Sequence, residues 1–495
     1  MNHLLCGLAA NEALPSELVD RLIALADDDI AADLARRTDL SHAQAVELAA
    51  RVGESAPQLA YAGRLTADDI DPLTQPRAAL ALLEEGAGPQ EWTCLFAVDP
   101  AVERRERLAA CPDLPPDVAQ TLAADPDVRV VAELARATTS DLAARLATHP
   151  HTEVRRGVAA NEATPPAVLA RLIDGAGLPP ARWCPVCDGS DTPFDVPPGA
   201  SCDGGSHAYA VHDMWWTALQ NPATPAGAAA GFADHPSTLP RLLLAARPDL
   251  PPAVCRRLAA DSHVGVRADL ARNPAVDEAL IRELAADEAP AVLRALAHHP
   301  RVPLDVLARL TAATRIGPTL LPRIAAASAA EVASLAQSPH PELRMLTAER
   351  RDLPPAVRDA LAADADAKVV KSLAPHPGLS EDRLGAMLDR HGAQVAARVA
   401  ANPDATPALL ERLARAEPPV RKALREIARH RNATAPALLA CLGDARARPV
   451  AAGHPALPPP VVAELLSDPD WQVVEAAAAN PSLPRAVMTA LLRHV

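Results

Sequence analysis

Cys184-Pro185-Val186-Cys187 and Cys202-Asp203-Gly204-Gly205-Ser206-His207 are the residues of this chain whose types and spacing could do chemistry. They read as C-x2-C-x14-C-x4-H. A C-x2-C turn points two thiolates at one ion, and a second, Gly-rich turn can bring two further ligands to complete a tetrahedron. Cys184, Cys187, Cys202 and His207 are therefore the expected metal ligands, with His212 the alternative for the fourth place, and structural zinc is the expected cofactor. An iron–sulfur centre would be one Cys short. A redox dithiol at Cys184 and Cys187 would lack the βαβ context of thioredoxin-like sites.

Composition points to the same segment. Of five Trp, two Tyr and three Phe, Trp183, Phe194, Tyr209, Trp215, Trp216 and Phe232 lie in or beside it. So short a loop cannot make a self-sufficient core, so a metal and an aromatic cluster docked on a larger scaffold would have to hold it.

The scaffold is a repeat. Asn11, Arg37 and Gly63 stand 26 residues apart, as do Asn221, Arg247, Asn273 and His299, then Arg350, His376 and Asn402, and finally His454 and Asn480. Each unit reads approximately V-R-x-x-L-A-x-N-P-x-L-P-x-x-V-L-x-x-L-A-x-D. Apolar residues three and four apart mark one buried face of a short helix. Asn or His before Pro ends it, because the residue preceding proline avoids the α region. The prolines of Leu250-Pro251-Pro252 and Leu353-Pro354-Pro355 then open a second helix, where a missing N–H costs nothing. In Pro252–Ala260, Val254, Leu258 and Ala259 should face inward. Asp125, Asp261 and Asp287 should cap the next unit. Two such helices cannot bury their own apolar faces, but stacked neighbours can. About 17 or 18 units are expected, forming an extended superhelix with a long curved surface and a radius of gyration well above the roughly 23 Å of a compact chain.

The segments Val399–Leu413 and Val474–Leu491 carry the pattern best, and through them most of the chain resembles the leucine-rich repeat variant family, with HEAT-type repeats as near neighbours. The resemblance implies an all-α, right-handed helical-repeat superhelix of α/3₁₀ or α/α units, and for function it implies interaction. The iron–sulfur cluster that a founding member of that family carries in a cysteine-rich N-terminal domain does not carry over, since that region here offers only Cys6.

Asn161-Glu162-Ala163-Thr164-Pro165 matches Asn221-Pro222-Ala223-Thr224-Pro225 at a distance of one period plus 34 residues. The surplus falls in the link between two units, where solenoids tolerate added segments. The chain thus divides into N-terminal repeats (1–173), a zinc-binding insertion (174–214) and C-terminal repeats (215–495).

A net charge of −14 lacks the basic footprint that nucleic acid requires. No stretch long enough to cross a membrane is free of charge or Pro. Met1 to Ala10 resembles a lipoprotein signal ending at Cys6, but it has no basic start, and Leu8 to Pro15 reads better as the end of a repeat. A cytoplasmic chain with reduced thiols is expected.

Other signals have simpler explanations. Cys94, Cys255 and Cys441 sit singly in helical patterns, and Cys111 fills an Asn position, so buried or turn-filling thiols are expected. The His-Pro pairs at His149, His235, His299, His376 and His454 substitute for Asn before Pro. Asp27-Asp28-Asp29 and Asp68-Asp69 read as helix starts, and His212-Asp213 lacks the partner histidines of a phosphohydrolase. Arg129, Arg155, Arg267 and Arg421 should form a ladder along one face, pairing with neighbouring acids or, less simply, with a partner's carboxylates. No nucleotide-binding glycine loop, H-E-x-x-H or G-x-S-x-G is present, so catalysis is not expected. The sequence therefore predicts a scaffold binding a protein or peptide. The competing readings are a metal-dependent redox sensor and a HEAT-like nucleic-acid enzyme, the latter needing a basic groove and an aromatic clamp.

Overall fold

The computed structural model describes residues 2–184, 187 and 208–493, with the side chains of 208–212 excluded. The described elements are all helices, and the paired extended backbone among them is a single isolated bridge between His151 and Trp183. None of the described helices is long and apolar enough to cross a membrane.

The chain forms two compact units, Thr66–Thr314 and Met1–Leu65 with Arg315–Val495. In both, a helix of one repeat packs on its counterpart in the next. Val264–Arg272 stacks between Thr238–Ala246 and Pro290–Ala297, while Pro252–Ala259 packs on Glu278–Leu284. The sequence explains this local order. Val266, Leu270 and Ala271 line the buried face of the first helix. The second begins with Pro252 and buries Val254, Cys255 and Leu258, so Cys255 takes the inward place expected for Ala259. Most units are α/α pairs. The described 3₁₀ elements are Gly53–Ser55, Ala67–Asp69 and Gly231–Asp234, so 3₁₀-helices do not alternate regularly with α-helices.

The residue before Pro does more than end a helix. Asn273 is buried, and its Nδ2 donates at 2.6 Å to both Ala245 O and Arg247 O of the preceding repeat. Asn402 does the same toward Ala374 O and His376 O, and Asn480 toward Ala452 O and His454 O. Where Arg replaces Asn, its longer fork reaches the same carbonyls: Arg247 donates to Leu219 O, Asn221 O and Thr224 O. Each rung satisfies buried carbonyls at a helix end that water cannot reach.

A second rung is ionic. Arg105, Arg241, Arg267 and Arg344 each fork onto the aspartate 20 residues on, namely Asp125, Asp261, Asp287 and Asp364, at 2.6–2.7 Å through Nε. Each also donates through Nη1 to a backbone carbonyl six residues back. These aspartates do not themselves cap the next helix. Asp261 accepts the N–H of His263, and His263 is the cap. Two of the His-Pro histidines belong to this register and not to the Asn register: His149 Nδ1 accepts from His151 N and His235 Nδ1 from Ser237 N, the bond Asp261 makes elsewhere. An imidazole lone pair replaces the carboxylate oxygen there. The expected arginine ladder is correspondingly corrected. Only Arg155 and Arg267 share this register; Arg129 bonds Asp127 at its own helix start, and Arg421 is exposed.

In the unit of Met1–Leu65 with Arg315–Val495, helices Asn2–Ala10 and Trp471–Ala478 are neighbours. Asn11 Nδ2 donates at 2.8 Å to Ala478 O and Asn480 O, the rung that Asn480 itself makes to the repeat before it. Arg37 continues the series onto Ala9 O and Asn11 O. Helix Asn2–Ala10, with Leu5, Cys6, Leu8 and Ala9 buried, packs on Trp471–Ala478. Gly7 permits that approach, because a Cβ there would overlap Glu475 O and the Ala478 methyl. Gly157 plays the same part against Ala132 O and Ala135 in the other unit. Arg21 donates to Leu492 O at 2.8 Å, and Arg485 pairs with Glu17. An unstacked repeat leaves an apolar face that must be capped; here helices Asn2–Ala10 and Trp471–Ala478 cover each other's.

Candidate metal centre

Helix Thr152–Ala160 and helix Pro166–Asp174 precede the C-x2-C turn. The second helix stops at Gly175, whose φ of +71° is left-handed and suits glycine. Arg171 holds the following turn through Ala176 O and Gly177 O. The chain resumes as helix Ala208–Gln220, which packs on Thr152–Ala160. The stacking register is undisturbed: Asn221 Nδ2 donates at 2.9 Å to Ala159 O and Asn161 O, as though the intervening residues were absent.

The segment leading to the cysteines is docked on the stack by backbone. Arg182 N and Trp183 N donate to Pro150 O at 2.8 and 3.1 Å, and Thr152 N donates to Trp183 O at 2.9 Å. Arg155 supplies the side-chain anchor. It occupies the register of Arg241 and Arg267, but Gly175 stands 20 residues on, where those have aspartate. Its Nη2 donates instead to Pro179 O at 2.6 Å, while Nε donates to His149 O at 2.7 Å. Burial and the neighbouring His151 hold the His149 imidazole below its ordinary pKa, consistent with its unprotonated Nδ1 accepting the His151 N–H.

Cys184 is fully buried beside Ala181, and Cys187 packs on the same pair. Cys184 N–H points at Cys187 Sγ, 2.8 Å away, and Cys187 N donates to Cys184 O at 3.0 Å. This is a tight turn in which Cys187 Sγ faces the Cys184 N–H on one side and the carbonyls of Cys184 and Arg182, at 3.5 and 3.8 Å, on the other. Both thiols are free of disulfide. Cys202 and His207 lie outside the described residues, as do Phe194 and the side chains of Tyr209 and His212. Among the described residues no three His, Cys, Asp or Glu side chains converge as a metal site.

The aromatics divide. Trp183 is 44% exposed. Trp215 and Phe232 meet edge to face at 5.5 Å, with His235 against both, and this cluster belongs to the repeats following the insertion. Other thiols behave as packing groups: burial pushes Cys111 and Cys441 up to about 12, whereas Cys94 is exposed, contrary to expectation. The role of Arg155 was missed by sequence reasoning, although the missing aspartate at Gly175 was a visible signal. No protein-family model matches the chain, and no curated protein matches it.

Proposed function

We propose that this chain is a cytoplasmic helical-repeat scaffold that binds a protein or peptide partner. Its insertion is held by one structural zinc on Cys184, Cys187, Cys202 and His207. The resemblance to the leucine-rich repeat variant family, with its right-handed winding, belongs to the same proposal. The observation that carries the scaffold reading is the recurrence of the same Asn and Arg–Asp rungs in repeat after repeat. Side chains that would otherwise be free for chemistry are spent on stacking, and arrays of this kind work through the surface that stacking creates. The zinc reading is supported by the buried Cys184, the amide directed at Cys187 Sγ and the spacing of Cys202 and His207. Zinc would supply cross-linking there; the protein's own part is to fix the first two thiols against the Thr152–Ala160 helix.

Affinity capture followed by cross-linking mass spectrometry should place a partner on the repeat surface; failure to capture any partner at native abundance would overturn the scaffold reading. Plasma emission analysis of the purified chain should find about one zinc, lost in Cys184→Ser and Cys202→Ser with far-UV helicity kept. His207→Ala should weaken the site more than His212→Ala. A brown chromophore would favour an iron–sulfur centre, and metal-free protein would overturn the zinc site.

A further inference from the structure

Most arginines that stack in this protein end on a carboxylate or a carbonyl. At helix Arg421–Arg429, Arg429 pairs with Glu426 at 3.6 Å, but the cations at the start of the helix do not follow that rule. Its first turn holds Arg421 and Lys422 and no acidic residue, at the end where peptide dipoles disfavour cations. Lys422, Arg425 and Arg446 have no ion-pair partner among the described residues. Arg421 is 87% exposed and only 3.9 Å from Asp444, whose carboxylate already accepts the N–H groups of Arg446 and Ala447. These four cations line one cavity of about 810 Å³, against the single carboxylate of Asp444 and over an apolar floor that includes Leu424. Nothing in the proposed scaffold role accounts for concentrating unpaired positive charge in one recess of a chain of net charge −14.

We propose that this cavity binds a compact oxyanion bearing two or more phosphoryl groups. Guanidinium forks match phosphoryl oxygens two at a time, and Lys422 adds a point charge. The volume suits a small ligand. No aromatic side chain lines the cavity, so there is no platform on which a base would stack. The negative charge of the whole chain opposes a long polyanion while leaving a small one free to enter. Phosphoryl groups place more charge in this volume than carboxylates do.

The test is calorimetric titration of the full chain at low salt with tripolyphosphate, citrate and sulfate. Tripolyphosphate should bind saturably at one site. Arg425→Ala, and the pair Lys422→Ala with Arg446→Ala, should each weaken it at least ~10-fold, with unchanged far-UV dichroism. Arg256→Ala, an exposed arginine of the other unit, should bind as the parent does. Absence of saturable binding, equal binding by the variants, or citrate and sulfate matching tripolyphosphate would each overturn the proposal, the last by marking an unselective counterion cluster. Partner capture is measured separately, so failure here leaves the scaffold reading standing.

Discussion

Arg267 and Arg155 occupy one register of the same unit and end on different partners. Arg267 joins two regular repeats by forking onto Asp287, whereas Arg155, at the only link interrupted by a long insertion, reaches the backbone of Pro179. At the inserted segment the arginine thus reaches a backbone carbonyl of the incoming chain, while the Asn rung passes across unaltered from Asn161 to Asn221. The Asn series carries continuity, and the Arg series is the adjustable element.

The largest test of that division is Asn273→Ala. It strips the donors from two buried carbonyls and should cost about 2–4 kcal/mol, read as a shift in the urea midpoint. Gly157→Ala drives a methyl into Ala132 O beside the insertion and should cost about 1–3 kcal/mol in the same assay; Gly7→Ala should match it if the terminal junction is built like the interior.

Acid should then separate the two arginine rungs. The Arg267 fork holds the Asp287 carboxyl below its ordinary value. That contribution is complete above pH ~4 and fades as pH falls through the lowered folded value. Asp287→Asn should cost about 1–2 kcal/mol at neutral pH and flatten the loss of stability as pH falls below ~4. The bonds from Arg155 to His149 O and Pro179 O carry no such dependence, because a carbonyl does not titrate in this range. The smallest global effect is expected from Arg155→Ala, under about 1 kcal/mol because array stability sums over neighbours. It should nevertheless speed tryptic cleavage after the exposed Arg182, scored by mass spectrometry. Unchanged cleavage would show that the backbone bridge alone holds the segment.

Much of this was readable from residue order. The 26-residue spacing of Asn221, Arg247, Asn273 and His299 locates the rungs, Pro252 and Pro355 mark helix starts, and Asp27 caps Ile30 as its acidic run suggests. The periodicity also located the insertion, because Asn161 and Asn221 keep matching flanks. What the spacing could not convey is direction. Asn before Pro satisfies a rule of local backbone sterics, so its long-range donation into the previous repeat leaves no separate trace. His149 and His299 share a dipeptide and each accepts the N–H two residues on, yet they serve different registers, since the His299 ring also reaches back to Asn273 O. The meeting of Asn11 with Asn480 is invisible for a related reason: a pattern with one period looks identical whether its ends stay apart or join. Of the four proposed metal ligands, spacing nominates all, and among the described residues burial adds information at Cys184 and Cys187.

The rung from Asn11 to Asn480 also imposes an order in time. Its partners are 469 residues apart in sequence, a separation that at 5–20 residues per second puts roughly 25 to 95 s of synthesis between them. Through that interval helix Asn2–Ala10 has its neighbour Asp28–Ala35, but the side at Gly7 that meets Glu475 and Ala478 lacks its final partner. That side stays open until helix Trp471–Ala478 leaves the ribosome. A pause late in translation would lengthen the exposure of residues made first.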